Sequence, residues 1–234
     1  MKTICLFDLD GTLTDSKPGI INSATHALKA MGVTSSSYSG SQDFLIGPPI
    51  RDALRLIHPF SDEEVEEVIL KYREYYSKKG MLENTVYPGI MELLAKLQSE
   101  GITMAIATSK AVVYAKRIAE HFGFKQYFGV IMGAELDGTR EHKSEVITAA
   151  LKQLGADKSH NIIMIGDREH DILGARGVNT ADTINMTDVT DITNIVGIGV
   201  TWGYGSRQEL EAAGAKTVVD TTDELYHAIQ EYSR

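Results

Sequence analysis

The stretch Ile4-Cys5-Leu6-Phe7-Asp8-Leu9-Asp10-Gly11-Thr12-Leu13-Thr14 runs four apolar residues straight into two carboxylates, spaced two apart, and a glycine. An unbroken apolar run suits a parallel strand buried on both faces, and open α/β sheets bind ligands outside the carboxyl ends of their strands. The spacing therefore predicts Asp8 and Asp10 at the rim of such a sheet. Both side chains fall on the same side, because strand side chains alternate with a period of two. Gly11 lets the chain turn sharply there, and the Thr12 hydroxyl can serve local backbone donors. The layout suits phosphoryl transfer, with one carboxylate as nucleophile and the other as acid and base. Asp and Gly are also ordinary turn residues, so the fragment alone reads as well as a strand entering an Asp-rich turn.

Further strands are expected near 102–108, 128–133, 161–166, 195–201 and 216–219, with helical patterns between most of them. That alternation predicts an α/β fold with a doubly wound, Rossmann-like parallel sheet. Between the first two strands lies a long helical excursion, with helices expected over Pro18–Met31, Arg51–Ile57 and Asp62–Lys79. The last opens on Ser61-Asp-Glu-Glu64, the pattern of a capping box. The division expected is a core of residues 1–15 and 87–234 and an all-helical cap of 16–86, hinged around 15–18 and 84–88.

Three more segments place polar side chains at or just beyond predicted elements. Gly101-Ile-Thr-Met-Ala-Ile-Ala-Thr108-Ser109-Lys110 ends an apolar strand in hydroxyl residues. Lys143 opens a helical pattern, and Asn161-Ile-Ile-Met-Ile-Gly166-Asp167-Arg-Glu-His-Asp171 ends a strand in an acidic pair. Each has a bland alternative. Thr108 could cap a helix starting near Lys110, Lys143 could be a solvated lysine, and Asp171 could be an acid favoured in a first helical turn.

Taken in order, Asp8-Leu9-Asp10-Gly11-Thr12, Thr108, Lys143 and the Asp167/Asp171 pair resemble the signatures of the haloacid dehalogenase superfamily, whose members are mostly magnesium-dependent phosphatases. The inserted helices resemble the cap of its phosphoglycolate phosphatase and β-phosphoglucomutase branch. The resemblance implies that Asp8 attacks phosphorus to give an aspartyl-phosphate, with Asp10 protonating the leaving oxygen and later activating water. It implies Mg²⁺ held by the Asp8 and Asp167 side chains and the Asp10 carbonyl, with Asp171 close by. A hard cation with oxygen ligands agrees with that donor set. Thr108 and Lys143 would hold the phosphate, with Ser109, Gly11 and Thr12 beside them. Phe44-Leu-Ile-Gly47-Pro48-Pro49-Ile50-Arg51 looks like the specificity loop of such a cap. Arg51 is therefore the cap residue expected at the substrate, although an arginine in a first helical turn is also commonly a surface residue.

The chain's 234 residues, 43% hydrophobic and 24% charged, suit a globular enzyme. A net charge of −9 argues against nucleic-acid polymers and anionic membranes as partners, and leaves a small phosphorylated metabolite as the expected one. A single cysteine, Cys5, excludes a disulfide framework and a cysteine metal site, so a cytoplasmic location is expected. There is no Gly-x-x-x-x-Gly-Lys loop, and His142 and His170 lack metal-ligand spacing. Residues 179–194, rich in Thr and Asp, look like a surface insertion, and the glycines of Trp202-Gly-Tyr-Gly-Ser206 are expected to serve turns. The reading favoured is a phosphoglycolate phosphatase-like hydrolase. The alternatives are a nucleoside 5′-monophosphate phosphatase, a β-phosphoglucomutase-like mutase and, from another class, a non-catalytic receiver that binds phosphate.

Overall fold

A computed structural model describes residues 2–33, 46, 50–180 and 195–234. Residues 44, 45 and 47–49 of the expected specificity loop and residues 181–194 of the expected insertion lie outside them. Strand β1 (Lys2–Phe7) is followed by β2 (Thr14–Asp15), α1 (Lys17–Ala30), α2 (Ile50–Ile57), α3 (Asp62–Tyr76) and β3 (Thr85–Val86). Then come α4 (Ile90–Ser99), β4 (Thr103–Ala111), α5 (Val112–His121), β5 (Val130–Ala134), α6 (Lys143–Leu154) and β6 (His160–Gly166). The chain closes with α7 (Glu169–Thr180), β7 (Ile195–Val200), α8 (Arg207–Ala213), β8 (Thr217–Val219) and α9 (Thr222–Tyr232).

Six strands form one parallel sheet in the order β5-β4-β1-β6-β7-β8. From β1 the chain winds outward through β4 and β5, then returns to β6 and winds the other way. The strand order therefore reverses beside β1 and β6, where such sheets open a crevice at their carboxyl ends. The period of two in β1 is explicit. Cys5 and Phe7 pack with Leu94 of α4 and Ile229 of α9, while Ile4 and Leu6 pack with Val146 and Ile147 of α6. Both faces are covered by helices, which is why the strand reads as a continuous apolar run.

The helices of the excursion form where their patterns predict. Ser61 accepts from the Glu64 N–H and the Glu64 carboxylate accepts from the Ser61 N–H, so the capping box is made. On α3, Val65, Val68, Ile69 and Tyr76 are buried and α1 packs against the helix. That spacing is one helical stripe. The helix stops at Tyr76, three residues short of the expected Lys79. A second difference follows Thr108: β4 continues through a bulge to Ala111 and α5 begins only at Val112. Thr108 therefore caps no helix, and its hydroxyl accepts from the Lys110 N–H at 3.2 Å. Strands β2 and β3 pair antiparallel, Thr14 with Val86 and Asp15 with Thr85, where the chain leaves and re-enters the sheet region.

Candidate active site

Adjacent strands bring the polar residues together. The Asp8 N–H continues the β1–β6 ladder to the Ile165 carbonyl at 2.9 Å, so Asp8 and Asp167 leave neighbouring strands side by side. Thr108 lies just before the bulge of the next strand over, and Lys143 enters from the start of α6. The Lys143 ammonium lies 2.7 Å from Asp8 Oδ1 and 2.6 Å from Asp171 Oδ1, and it also donates to the Ala107 carbonyl at 3.2 Å. It is buried, not solvated. Asp171 sits in the first turn of α7, where the Arg168 N–H donates to its Oδ2 at 3.1 Å.

The carboxylates Asp8, Asp167 and Asp171 are all buried, and their oxygens lie within 4.8 Å of one another. Burial raises the Asp8 carboxyl, with Lys143 opposing and Asp171 adding to the rise. Asp167 is pushed well above the usual carboxylate range by burial, then by Asp171 and Asp8. Burial works against charge on Lys143, but Asp171 and Asp8 outweigh it and lift the ammonium upward. Three carboxylates around one ammonium leave two negative charges without balance in a site shielded from water. A hard divalent cation with oxygen ligands supplies that balance, so the donor set fits one.

Asp167 is gripped at both oxygens. Thr12 Oγ donates to Oδ1 at 3.1 Å and the Tyr204 N–H donates to Oδ2 at 2.8 Å. Gly11 has a φ of +83°, and a Cβ there would come within 2.2 Å of Asp167 Oδ2. A Cβ on Gly203 would come within 2.3 Å of the Gly11 carbonyl oxygen. Close approach thus requires both glycines, and the left-handed backbone at Gly11 requires that one a second time. Thr12 is fully buried, so its hydroxyl orients Asp167 instead of facing the pocket.

Asp10 stands apart from the carboxylate trio. Lys110 lies 2.8 Å from Asp10 Oδ2 and also donates to the Tyr76 hydroxyl, while Asp10 Oδ1 is buried with no hydrogen-bond partner among the described residues. The pocket above is floored by Asp8, Asp10, Thr108, Ser109 and Lys143. Its opposite side comes from the inserted helices, through Ile20, Ile50, Tyr72, Arg73 and Tyr76. Tyr72 stacks on Tyr76, with centroids 5.4 Å apart and planes at 14°, and Tyr114 meets Tyr76 edge-on at 5.2 Å.

Arg51 is not brought to this pocket. Its guanidinium pairs with Glu66 and lies 3.5 Å from Glu141. Arg73 and Arg168 line the pocket in its place. Arg168 is held by Glu209 at 2.8 Å, whereas Arg73 donates to the Leu136 carbonyl at 2.7 Å, a neutral partner, and meets no carboxylate among the described residues. Sequence reasoning missed Lys110, Arg73, Tyr72, Tyr76 and Tyr204. A lysine two residues beyond the strand-end Thr108 was the signal available for the first.

The family model described as haloacid dehalogenase-like hydrolase matches residues 5–184. The chain is 41% identical, over 88% of its length and 86% of the relative's, to a Pseudomonas aeruginosa protein named 5′-nucleotidase. It is 39% identical to the Mycobacterium tuberculosis protein named tyrosine-protein kinase PtkA, over 97% of this chain and 72% of that one. Among solved structures, a predicted phosphatase from Clostridium acetobutylicum superposes with a TM-score of 0.85 at 38% identity, covering 99% of each chain.

Proposed function

The chain belongs to the haloacid dehalogenase-like hydrolases and is a phosphatase of that superfamily; from this we propose a magnesium-dependent phosphomonoesterase working through an aspartyl-phosphate on Asp8. The observation that carries the reading is Lys143, which lies within 2.7 Å of Asp8 and 2.6 Å of Asp171 on a buried floor shared with Asp167 and Thr108. Family membership removes the receiver-like alternative.

An Asp8 oxygen attacks phosphorus while the bond to the leaving oxygen breaks, and Asp10 gives that oxygen its proton. Water then loses a proton to Asp10 and attacks the same phosphorus, which frees Asp8 and releases phosphate. Lys110 fixes Asp10 Oδ2, leaving Oδ1 to carry the proton. Lys143 offsets charge on Asp8 and on the phosphoryl oxygens, and the Thr108 hydroxyl and Ser109 hold those oxygens. Mg²⁺ would be held by Asp8 and Asp167 with the Asp10 carbonyl, and would neutralise charge on the phosphoryl group. Asp171 serves Lys143.

Residues 16–86 act as the cap, crossing at the β2–β3 ribbon. Together with Tyr114 of α5, the aromatic side they present through Tyr72 and Tyr76 favours a nucleoside 5′-monophosphate over phosphoglycolate, because a two-carbon acid would leave these rings uncovered. The 41% identical relative named 5′-nucleotidase supports the same choice. A phosphomutase would need a cradle for a second phosphate. Of the pocket cations, Lys143, Lys110 and Arg168 are already paired with carboxylates, which leaves Arg73 as the one lining cation bonded only to a carbonyl among the described residues, a thin cradle for a second phosphate. The lone buried thiol Cys5 accords with a cytoplasmic place.

The test is phosphate release from nucleoside 5′-monophosphates, phosphoglycolate, sugar phosphates and phosphotyrosine, with Mg²⁺ or EDTA. Metal-dependent release that is strongest on nucleoside monophosphates is expected. Release that survives EDTA, or none from any member, would overturn the reading.

A further inference from the structure

The loop of residues 201–206 takes no part in the chemistry above, yet one of its residues touches both the carboxylate site and the crossing strands. The Tyr204 N–H donates to Asp167 Oδ2 at 2.8 Å. Its hydroxyl donates to Asp15 Oδ1 at 2.9 Å and accepts from the Lys17 N–H at 3.0 Å. Asp15 belongs to β2, the strand through which the chain enters the helical excursion, and Lys17 opens α1. The loop is seated firmly on the sheet side. Trp202 Nε1 donates to the Thr12 carbonyl at 3.0 Å, and a Cβ on Gly205 would come within 2.1 Å of the Asp167 carbonyl oxygen.

The crossing itself is less settled. Asn84, beside β3 at the return crossing, is 8% exposed, and neither atom of its amide has a hydrogen-bond partner among the described residues. An unpaired buried amide is a costly arrangement. The crossing thus carries an unpaired polar group that the loop gripping Asp167 does not.

We propose that Tyr204 is a positioning residue that couples the two, so that a divalent cation held by Asp8 and Asp167 and the closed attitude of the crossing strands stabilise each other. The proposal rests on the metal and cap readings above. A shift of Asp15 displaces the Tyr204 hydroxyl, and through one rigid residue it displaces the N–H that orients Asp167. Coupling of this kind is reciprocal: whatever factor the cation gains from the closed crossing, the closed crossing gains from the cation.

Tyr204→Phe tests it, since the backbone N–H and the ring remain and only the hydroxyl is lost. Mg²⁺ binding to the metal-free full chain is measured by calorimetry, and hydrogen exchange of the Asp15, Lys17 and Val86 amides is followed with and without Mg²⁺. In the unsubstituted protein, Mg²⁺ is expected to slow exchange at these amides about tenfold. In Tyr204→Phe that protection disappears, and the Mg²⁺ affinity falls by the same factor. Asp15→Ala, which cuts the link from its other end, reproduces both losses, and the double variant adds nothing further. Mg²⁺ binding with equal protection in both proteins overturns the coupling alone. No Mg²⁺ binding to the folded unsubstituted protein overturns the metal site and the coupling together.

Discussion

Asp8, Thr108 and Asp167 come from three adjacent strands of one sheet, at or near their carboxyl ends, whereas Tyr72, Arg73 and Tyr76 reach the same pocket from a single helix packed over it. The first group is fixed by backbone hydrogen bonds within a buried sheet and by mutual pairing. The second is fixed by how one amphipathic helix is rotated, which depends on the stripe Val65, Val68 and Ile69 and on its neighbours. The difference teaches that the chemistry and the choice of substrate answer to different kinds of constraint.

Substitutions can break that comparison, and the largest effect is expected on the sheet side. Asp8→Asn should lower phosphate release about ten-thousand-fold or more while the circular dichroism spectrum stays unchanged, because the nucleophile is lost with little packing. A variant retaining a tenth of the rate would contradict the assignment. Lys143→Met should cost about a hundred- to a thousandfold in kcat. It should also destabilise the protein by about 3 kcal/mol in urea unfolding, because Asp8 and Asp171 lose their buried partner.

On the helix side the expected effects are smaller and selective. Tyr72→Ala and Arg73→Ala should each lower kcat/KM for a nucleoside monophosphate about ten- to a hundredfold and leave phosphoglycolate hydrolysis nearly unchanged. Arg51→Ala should change either substrate by less than about threefold, since Arg51 is engaged by Glu66 and Glu141. A larger effect at Arg51 than at Arg73 would reverse the contrast.

The smallest effect expected is on stability against pH. With Asp8 and Asp167 both raised by burial, the metal-free folded state binds more protons than the unfolded chain above the ordinary carboxylate range near 4. Stability then falls as pH rises through the raised values. Lys143 is raised too, so its contribution is fully present in this window and is lost only at higher pH. His170, lowered by burial, opposes the trend below its ordinary value near 6.5. Thermal scans without metal should therefore give a Tm that falls over the interval above the ordinary carboxylate range near 4, and saturating Mg²⁺ should flatten that fall. A metal-free Tm that climbs across this interval would contradict the electrostatics of the floor.

The same contrast explains what the sequence made legible. The six sheet strands, the capping box at Ser61 and the places of Asp8, Asp10, Thr108, Lys143, Asp167 and Asp171 follow from local signals, because each residue lies near the carboxyl end of an apolar strand or in the first turn of a helix. Thr12 was found but not its task, since its partner Asp167 is 155 positions away in the chain. Arg51 and Arg73 both look like cap arginines. Only the packing of α2 on α3 decides that Glu66 captures one while the other meets the pocket. Tyr204 was equally hidden, because its partners Asp167, Asp15 and Lys17 come from distant parts of the chain.

The central claim is that Asp8 becomes phosphorylated. It is tested most directly by acid-quenching the enzyme during turnover of a nucleoside 5′-monophosphate with Mg²⁺ and mapping phosphorylated peptides by mass spectrometry. A hydroxylamine-labile phosphate on the peptide carrying Asp8, absent with EDTA and from Asp8→Asn, is the result expected; phosphate released at full rate with no label at Asp8, or with label on another residue, would contradict it.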